Sequence, residues 1–134
     1  MAGLKFLFDT NAISDLIEQN AALAAHLRSR QEHGQMILCS PVHYEVKRGL
    51  LYAGAQRKAQ IYEQEIRHHF RWISLEDDDL ALAAQFWSDA RHRGKQFSDI
   101  DLMIAAISVR LNAVIISADS DFDSLPVMRE NWRL

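Results

Sequence analysis

Short, wholly apolar runs alternate along this chain with longer stretches whose apolar positions recur every three or four residues, and the change of period marks where strands and helices fall. Leu4-Lys5-Phe6-Leu7-Phe8 is an apolar run that ends abruptly at Asp9-Thr10-Asn11, which reads as a buried strand turning into a helix. Two helices are expected next, from about Ala12 to Glu18 and from Ala21 to about Glu32, the second closing near Gly34. Met36 to Cys39 predicts a second strand. Ser40-Pro41 then opens a helix, with serine as N-cap and proline at the first helical position, and this places Glu45 about one turn in. Gly49 to Gly54 interrupts that pattern, and a long charged helix is expected from about Ala55 to His69.

Phe70 to Ser74 predicts a third, short strand, and Asp77 to Arg93 a helix with Leu80, Ala83, Ala84 and Trp87 at helical spacing and Gly94 as its stop. A further helix runs from about Asp99 to Leu111, with Ser98 as N-cap and no charge from Leu102 to Val109. Ala113 to Ser117 is the most strand-like run in the chain and leads at once into Ala118-Asp119-Ser120-Asp121-Phe122. The tail from Leu125 to Leu134 predicts a last short strand. Strands alternating with helices imply an α/β fold of three layers, α/β/α, around a central and mainly parallel sheet of four to five strands.

In such sheets ligands bind outside the carboxyl ends of the strands. That rule gathers acids: Asp9 follows the first strand, Glu45 lies one turn into the helix leaving the second, and Asp119 follows the fourth. Asp101 reaches the same edge if the connection from Gly94 to Ser98 crosses over the strand ends. Asp99 stands two residues from Asp101 on the same helix, so the two point in different directions; Asp101 is the better candidate and Asp99 a support through water or a second ion. Asp121 is a weaker candidate than Asp119, and Asp123 weaker still.

Two like charges about 4 Å apart repel by roughly 4 kcal/mol at an effective dielectric near 20, so gathered carboxylates need neutralising. An all-oxygen set of Asp and Glu suits a hard Mg2+ or Mn2+ ion, and such ions commonly share the phosphate oxygens of a substrate. Metal-assisted attack of water on a phosphodiester is the chemistry this pattern fits. Each acid also has a plainer reading. Asp9 can cap the next helix, Glu45 can pair with Arg48 at i+3, and Asp77-Asp78-Asp79 reads as the charge run of a helix N-terminus. His43, though close to Glu45 in sequence, falls on another face of the helix.

Composition adjusts this picture in three places. With 134 residues, 49% of them hydrophobic, the chain suits a single domain over 1–134. Its one cysteine, Cys39, lies in an apolar run and reads as a buried thiol, so neither a disulfide framework nor a cysteine zinc site is available. No signal-like N-terminus and no apolar run of about 18 residues is present, from which a soluble, cytoplasmic protein with no membrane partner is expected. The net charge of −3 hides an asymmetry: with the six candidate acids set aside, 12 acidic residues remain against 15 basic ones.

Phe8-Asp9-Thr10-Asn11, Ser40-Pro41 leading to Glu45, Asp101-Leu102-Met103-Ile104-Ala105-Ala106 and Ile115-Ile116-Ser117-Ala118-Asp119 together resemble the PIN-domain ribonucleases, specifically the VapC toxins of bacterial toxin–antitoxin pairs. The resemblance spans nearly the whole chain and rests on the ordered set rather than on any one motif. It implies Asp9, Glu45, Asp101 and Asp119 as an acidic quartet, with Asp99 and Asp121 as further metal-site candidates. It also implies Mg2+ or Mn2+ as cofactor and endonucleolytic cleavage of a structured RNA, transfer or ribosomal, that inhibits translation. Thr10 and Asn11, with Ser117 where such proteins often have threonine, would support the site through hydrogen bonds. A homodimer and a cognate VapB-like antitoxin are implied as well. One departure is visible: the loop from Asp119 to Phe122 is shorter than usual for the family. Two other classes fit less well. A haloacid-dehalogenase-type phosphatase wants a second aspartate where this chain has Asn11, and a catalytically inactive PIN-like module that only binds RNA or protein gains nothing from mutually repelling carboxylates.

Overall fold

In the computed structural model, which describes residues 3–132, five short strands form one sheet: β1 (Leu4–Phe8), β2 (Gly34–Cys39), β3 (Arg71–Ile73), β4 (Val114–Ile116) and β5 (Met128–Glu130). Their order is β3-β2-β1-β4-β5, and every neighbouring pair is parallel. Parallel strands need a crossover between them, and helices supply it: α1 (Thr10–Ile17), α2 (Ala21–Gln31), α3 (Ser40–Ala53), α4 (Gln56–Ile61), α5 (Asp77–His92) and α6 (Asp99–Leu111). The result is the three-layer α/β/α arrangement expected from the alternation of periods. The three inner strands, β2, β1 and β4, are buried on both faces, with Leu7, Ile37 and Ile115 fully enclosed, which is why they read as continuous apolar runs. The last strand falls within the stretch expected for it; Arg133 and Leu134, also in that stretch, lie outside the described residues.

Three local expectations are corrected. First, α3 is not interrupted at Gly49 but runs on to Ala53, and the stop is Gly54, whose φ of 62° is the left-handed conformation that glycine adopts without strain. Secondly, the single helix expected from about Ala55 to His69 is three pieces: α4, a wider π-type turn over Tyr62–Ile66, and a 3-10 turn over Arg67–His69. The wider turn puts both Tyr62 and Ile66 on the core side, where Tyr62 Oη meets His43 Nδ1 at 2.6 Å. Thirdly, Ser40 is not the cap of α3 but its first residue. Cys39 occupies the cap position without a side-chain bond, while Ser40 Oγ accepts from the Leu75 N–H at 2.9 Å and ties α3 to the chain leaving β3.

Asp77, Asp78 and Asp79 do form the charge run at the start of a helix, and Asp79 adds a role beyond it. It is buried, closes a capping box with Glu76 at the start of α5, and receives the Arg110 guanidinium of α6 at 2.8 and 2.9 Å. This ion pair clamps α5 to α6, so the neutral face of α6 is held against the sheet. Cys39 is buried as expected, and burial pushes its thiol up to about 12, well outside the range of a reactive thiolate. Gly34, at the start of β2, is held to glycine by space: a Cβ there would lie 2.4 Å from the Leu4 carbonyl oxygen. Among the described residues no helix is long and apolar enough to cross a membrane.

Candidate active site

Asp9 is the first residue beyond β1. Its N–H donates to the Ile116 carbonyl at 3.2 Å, continuing the β1–β4 ladder by one rung, and its carboxylate accepts from the Ala12 N–H at 2.8 Å as the N-cap of α1. The plainer reading of Asp9 as a cap is therefore correct, and it does not exclude a second role. A carboxylate has two oxygens and about four lone-pair positions, and one backbone donor occupies only part of them.

Glu45 is carried by α3, which begins directly at the end of β2. Val42 and Val46 on either side of it are buried, so Glu45 is half-buried at the edge of the core. Asp101 sits in the first turn of α6, where Ser98 Oγ accepts from the Asp101 N–H at 3.1 Å and its hydroxyl also bonds the Asp101 carboxylate. Asp119 follows β4, and its carboxylate accepts from the Asp121 N–H at 2.9 Å, capping a 3-10 turn over Ser120–Ser124. Between them stands Ser117, fully buried. Its Oγ accepts from the Asp119 N–H at 2.9 Å and bonds the Asp9 carboxylate, so one hydroxyl positions two of the acids.

These elements bring Asp9, Thr10, Asn11, Glu45, Ser98, Asp101 and Asp119 together as the lining of one cavity of about 260 Å3 at the carboxyl ends of the strands. A larger cavity of about 510 Å3 opens at the opposite edge, around Lys5, His33 and Arg71, but it holds no comparable concentration of one charge. Asp99 is not brought into the acidic cavity. It lies on the far side of α6, exposed, in a groove between α5 and α6 with Leu80, Trp87 and Met103. Residues two apart on a helix differ by about 200° in direction, and that separation is what the structure realises. Asp121 is exposed and stands outside the lining, although its charge is felt at Asp101. Asp123 is bound at 2.8 and 2.9 Å by Arg129 and takes no part. Ser98, read from the sequence only as a cap, also lines the cavity.

Burial first, and mutual repulsion after it, raise the proton affinities of two of the acids. Burial raises the Asp9 carboxyl to about 6 from its ordinary 3.8; the hydrogen bonds from Ser117 and Ala12 oppose this, and the charges of Asp101 and Asp119 add to it. Burial likewise raises Asp101 to about 6, opposed by Ser98 and reinforced by the charges of Asp119, Glu45 and Asp121. A buried hydroxyl in the lining, Thr10 Oγ1, has no hydrogen-bond partner. As the side chains stand, no group of three His, Cys, Asp or Glu among the described residues is drawn tightly enough around one point to enclose a metal ion. That placement still suits Mg2+, which keeps several waters and is usually held by one or two carboxylates together with substrate phosphate. An all-oxygen lining with two carboxyls short of neutralising charge and one orphaned hydroxyl is a donor set of the right chemistry for such an ion.

The family profile of the PIN domain matches residues 6–127, so the chain belongs to the PIN-domain family. Among solved structures it is similar to FitAcB from Neisseria gonorrhoeae, at 25% identity over 96% of this chain and 99% of that one, with a TM-score of 0.81. It also shares its fold with VapBC2 from Rickettsia felis bound to a promoter DNA fragment, at 18% identity over 96% and 99% of the two chains and a TM-score of 0.83. A third relative in fold is Mycobacterium tuberculosis VapC20, a Sarcin-Ricin loop cleaving toxin, at 15% identity over 92% and 96% of the chains and a TM-score of 0.66. No curated protein matches this sequence.

Proposed function

We propose that this chain is a divalent-metal-dependent endoribonuclease, the toxin of a toxin–antitoxin pair, which cuts a structured transfer or ribosomal RNA and so inhibits translation. The observation that carries the proposal is the convergence of Asp9, Glu45, Asp101 and Asp119 on one cavity at the carboxyl ends of a parallel sheet, two of them with strongly raised proton affinity. Membership of the PIN-domain family and likeness to VapBC and FitAB assemblies support the toxin assignment and a VapB-like antitoxin as partner; a homodimer as the working state is part of the same proposal and rests on the resemblance alone. The cleavage of the sarcin–ricin loop by a protein of the same fold supports RNA as substrate.

Mg2+ or Mn2+ would be held by Asp9, Asp101, Glu45 and Asp119, and when bound it supplies Lewis-acid stabilisation and a more acidic water. The chain's own residues do the rest. Ser117 fixes Asp9 and Asp119 relative to each other, while Thr10 and Asn11 offer hydrogen-bonding groups at the floor and lip of the cavity. In the metal-free chain Asp9 and Asp101 are raised to about 6, so binding of the ion favours their ionised forms and is expected to strengthen as pH rises through that range. Incubation of the purified protein with total transfer and ribosomal RNA, followed by mapping of new 5′ ends, tests the reading. Discrete cuts with Mg2+ or Mn2+ that disappear in EDTA and persist with a zinc-selective chelator are expected. Undiminished cleavage in excess EDTA refutes metal dependence, and no cleavage under any of these conditions refutes the nuclease assignment.

A further inference from the structure

A site lined by four carboxylates repels the polyanion it is proposed to cut, so the rim must supply cations that meet the backbone before the acids do. Most cations near the sheet edge are committed elsewhere. Arg129, close enough to Asp119 to feel its charge, is largely buried, bound twice to Asp123 and once to the Ser117 carbonyl. Lys47 pairs with Glu63, and Arg67 with Glu63 while lying over Trp72. Among the described residues one ion pair joins a cation to a carboxylate of the cavity lining: Arg48 Nη2 to Glu45 Oε2, at 3.1 Å.

Arg48 is also the most accessible arginine of the ion pairs in that region, with 53% of its side chain exposed, and its guanidinium lies 5.1 Å over the ring of Tyr44. Tyr44 is itself 57% exposed, so the arginine covers one face of the ring and leaves much of the remainder to solvent. Positions 44, 45 and 48 of α3 fall on neighbouring helical rows, which sets an aromatic ring and a guanidinium side by side next to Glu45, the member of the cavity lining that Arg48 holds. Single-stranded RNA is held by this combination, with a base stacked on an aromatic or guanidinium plane and a phosphate on the cation.

We infer that Tyr44 and Arg48 form a nucleotide-binding clip on α3, which seats the base and phosphate next to the bond cut in the acidic cavity. The inference rests on the nuclease reading and adds to it the residues that recognise substrate. Exposed ion pairs contribute little to stability, so Arg48 exchanges Glu45 for an RNA phosphate at small cost, and Glu45, already part of the lining, is left without its counter-ion. The stacking half is tolerant of base identity, and the guanidinium half carries the salt dependence.

The test uses the full chain carrying Asp101→Asn, so that binding is read without cleavage, and a fluorescein-labelled oligouridylate as the probe. Arg48→Ala is expected to weaken binding about tenfold at low salt and to reduce the slope of log Kd against log salt by about 0.7, the share of one phosphate contact on a single strand. Tyr44→Ala is expected to weaken it by a similar factor, and Tyr44→Phe, which keeps the ring face, to restore it to within about twofold of the parent. Wild-type affinity and an unchanged salt slope in Arg48→Ala overturn the clip while leaving the nuclease reading intact. So does a loss in cleavage rate at saturating RNA when Arg48→Ala is made in the chain with Asp101 intact, with binding in the Asp101→Asn background unaffected, because Arg48 would then act only through Glu45. Sedimentation of the same variants closes the remaining route: a binding loss that tracks dissociation into monomers makes this face a contact between copies and also overturns the clip. Failure of the wild-type chain to cut RNA with either metal refutes the nuclease reading itself.

Discussion

Replacing Asp9 by asparagine should make the metal-free protein more stable while abolishing its proposed activity. The carboxyl is raised from 3.8 to about 6 by burial and by two neighbouring charges, and at about 1.4 kcal/mol per tenfold change in affinity its ionisation costs the folded state about 3 kcal/mol at pH 7. Asparagine is nearly isosteric, caps helices about as well as aspartate, and keeps an oxygen for the Ala12 N–H and the Ser117 hydroxyl. Most of the electrostatic cost is therefore recovered, a gain of about 2–3 kcal/mol, which for a chain of this size raises Tm by roughly 6–12 °C.

The pH dependence fixes the cause. Because the folded affinity exceeds the unfolded one, the folded state holds the proton more tightly between about pH 4 and 6, and stability falls as pH rises through that window. The wild-type protein in EDTA should thus gain stability on acidification from pH 7 to 4, and Asp9→Asn should lose much of that dependence, the two melting curves converging near pH 4. Asp101 titrates in the same window, so part of the dependence survives the substitution and the effects of the two positions are not additive. Thermal melts in EDTA at pH 4, 5, 6 and 7 decide it. A variant no more stable than wild type at pH 7, or a difference that does not change with pH, refutes the electrostatic account and leaves Asp9 as a structural cap alone.

Asp79→Ala leaves the Arg110 guanidinium without its buried partner and should destabilise by about 3–5 kcal/mol in urea unfolding; a loss under about 1 kcal/mol contradicts the clamp between α5 and α6. Gly49→Ala, inside α3 and with nothing within 4 Å of the added Cβ, should stabilise by about 0.4–1 kcal/mol, and destabilisation would show that the interruption expected from the sequence is real in solution. Asp101→Ala should lower cleavage more than about 100-fold, whereas Asp99→Ala should stay within several-fold of wild type, because only Asp101 lines the cavity; single-turnover rates with Mn2+ compare them, and equal losses contradict the placement.

What the sequence showed of this fold was set by how strongly each segment's period was determined. β1, β2 and β4 are buried on both faces, so their apolar runs are continuous and each was legible to within two residues. The stretch after Gly54 was not: its charged helical pattern continues to His69, while the backbone changes from α to a π-type turn and then a 3-10 turn, a change of hydrogen-bond register that the apolar spacing does not mark. Gly49 and Gly54 carry the same letter, and only the backbone conformation at Gly54 separates the stop from a tolerated interior glycine. The burial of Asp79, within a charge run that does start a helix as expected, was illegible for a related reason. Three successive acids at a helix start look alike in sequence, and the buried one is distinguished by Arg110, which lies 31 residues away. The candidate site was more legible than either, since strand ends locate Asp9, Glu45 and Asp119 directly, and the Gly94 to Ser98 connection does bring Asp101 and Ser98 to the same edge.

Capping and the proposed ligation, which the sequence poses as rivals for each acid separately, are compatible in the structure, because the caps hold the acids at one edge. Asp9 caps α1, Asp119 caps the turn that follows β4, and Asp101 is held by the serine that caps α6. Each of these bonds fixes a side chain through backbone or hydroxyl groups that belong to the fold and not to the site. Without them, like charges gathered in one cavity would rotate away from one another to relieve their repulsion. Caps favour negative charge at helix starts, and helix starts in a parallel sheet of this topology lie at the carboxyl ends of the strands. The elements that stabilise the fold are thus the ones that assemble a charge cluster it would otherwise disperse. Glu45 is the exception: no cap holds it, and it is kept at the rim by Arg48 instead. That difference makes Glu45 the member of the quartet freest to move, and the one whose position should respond most to whatever binds at the mouth of the cavity.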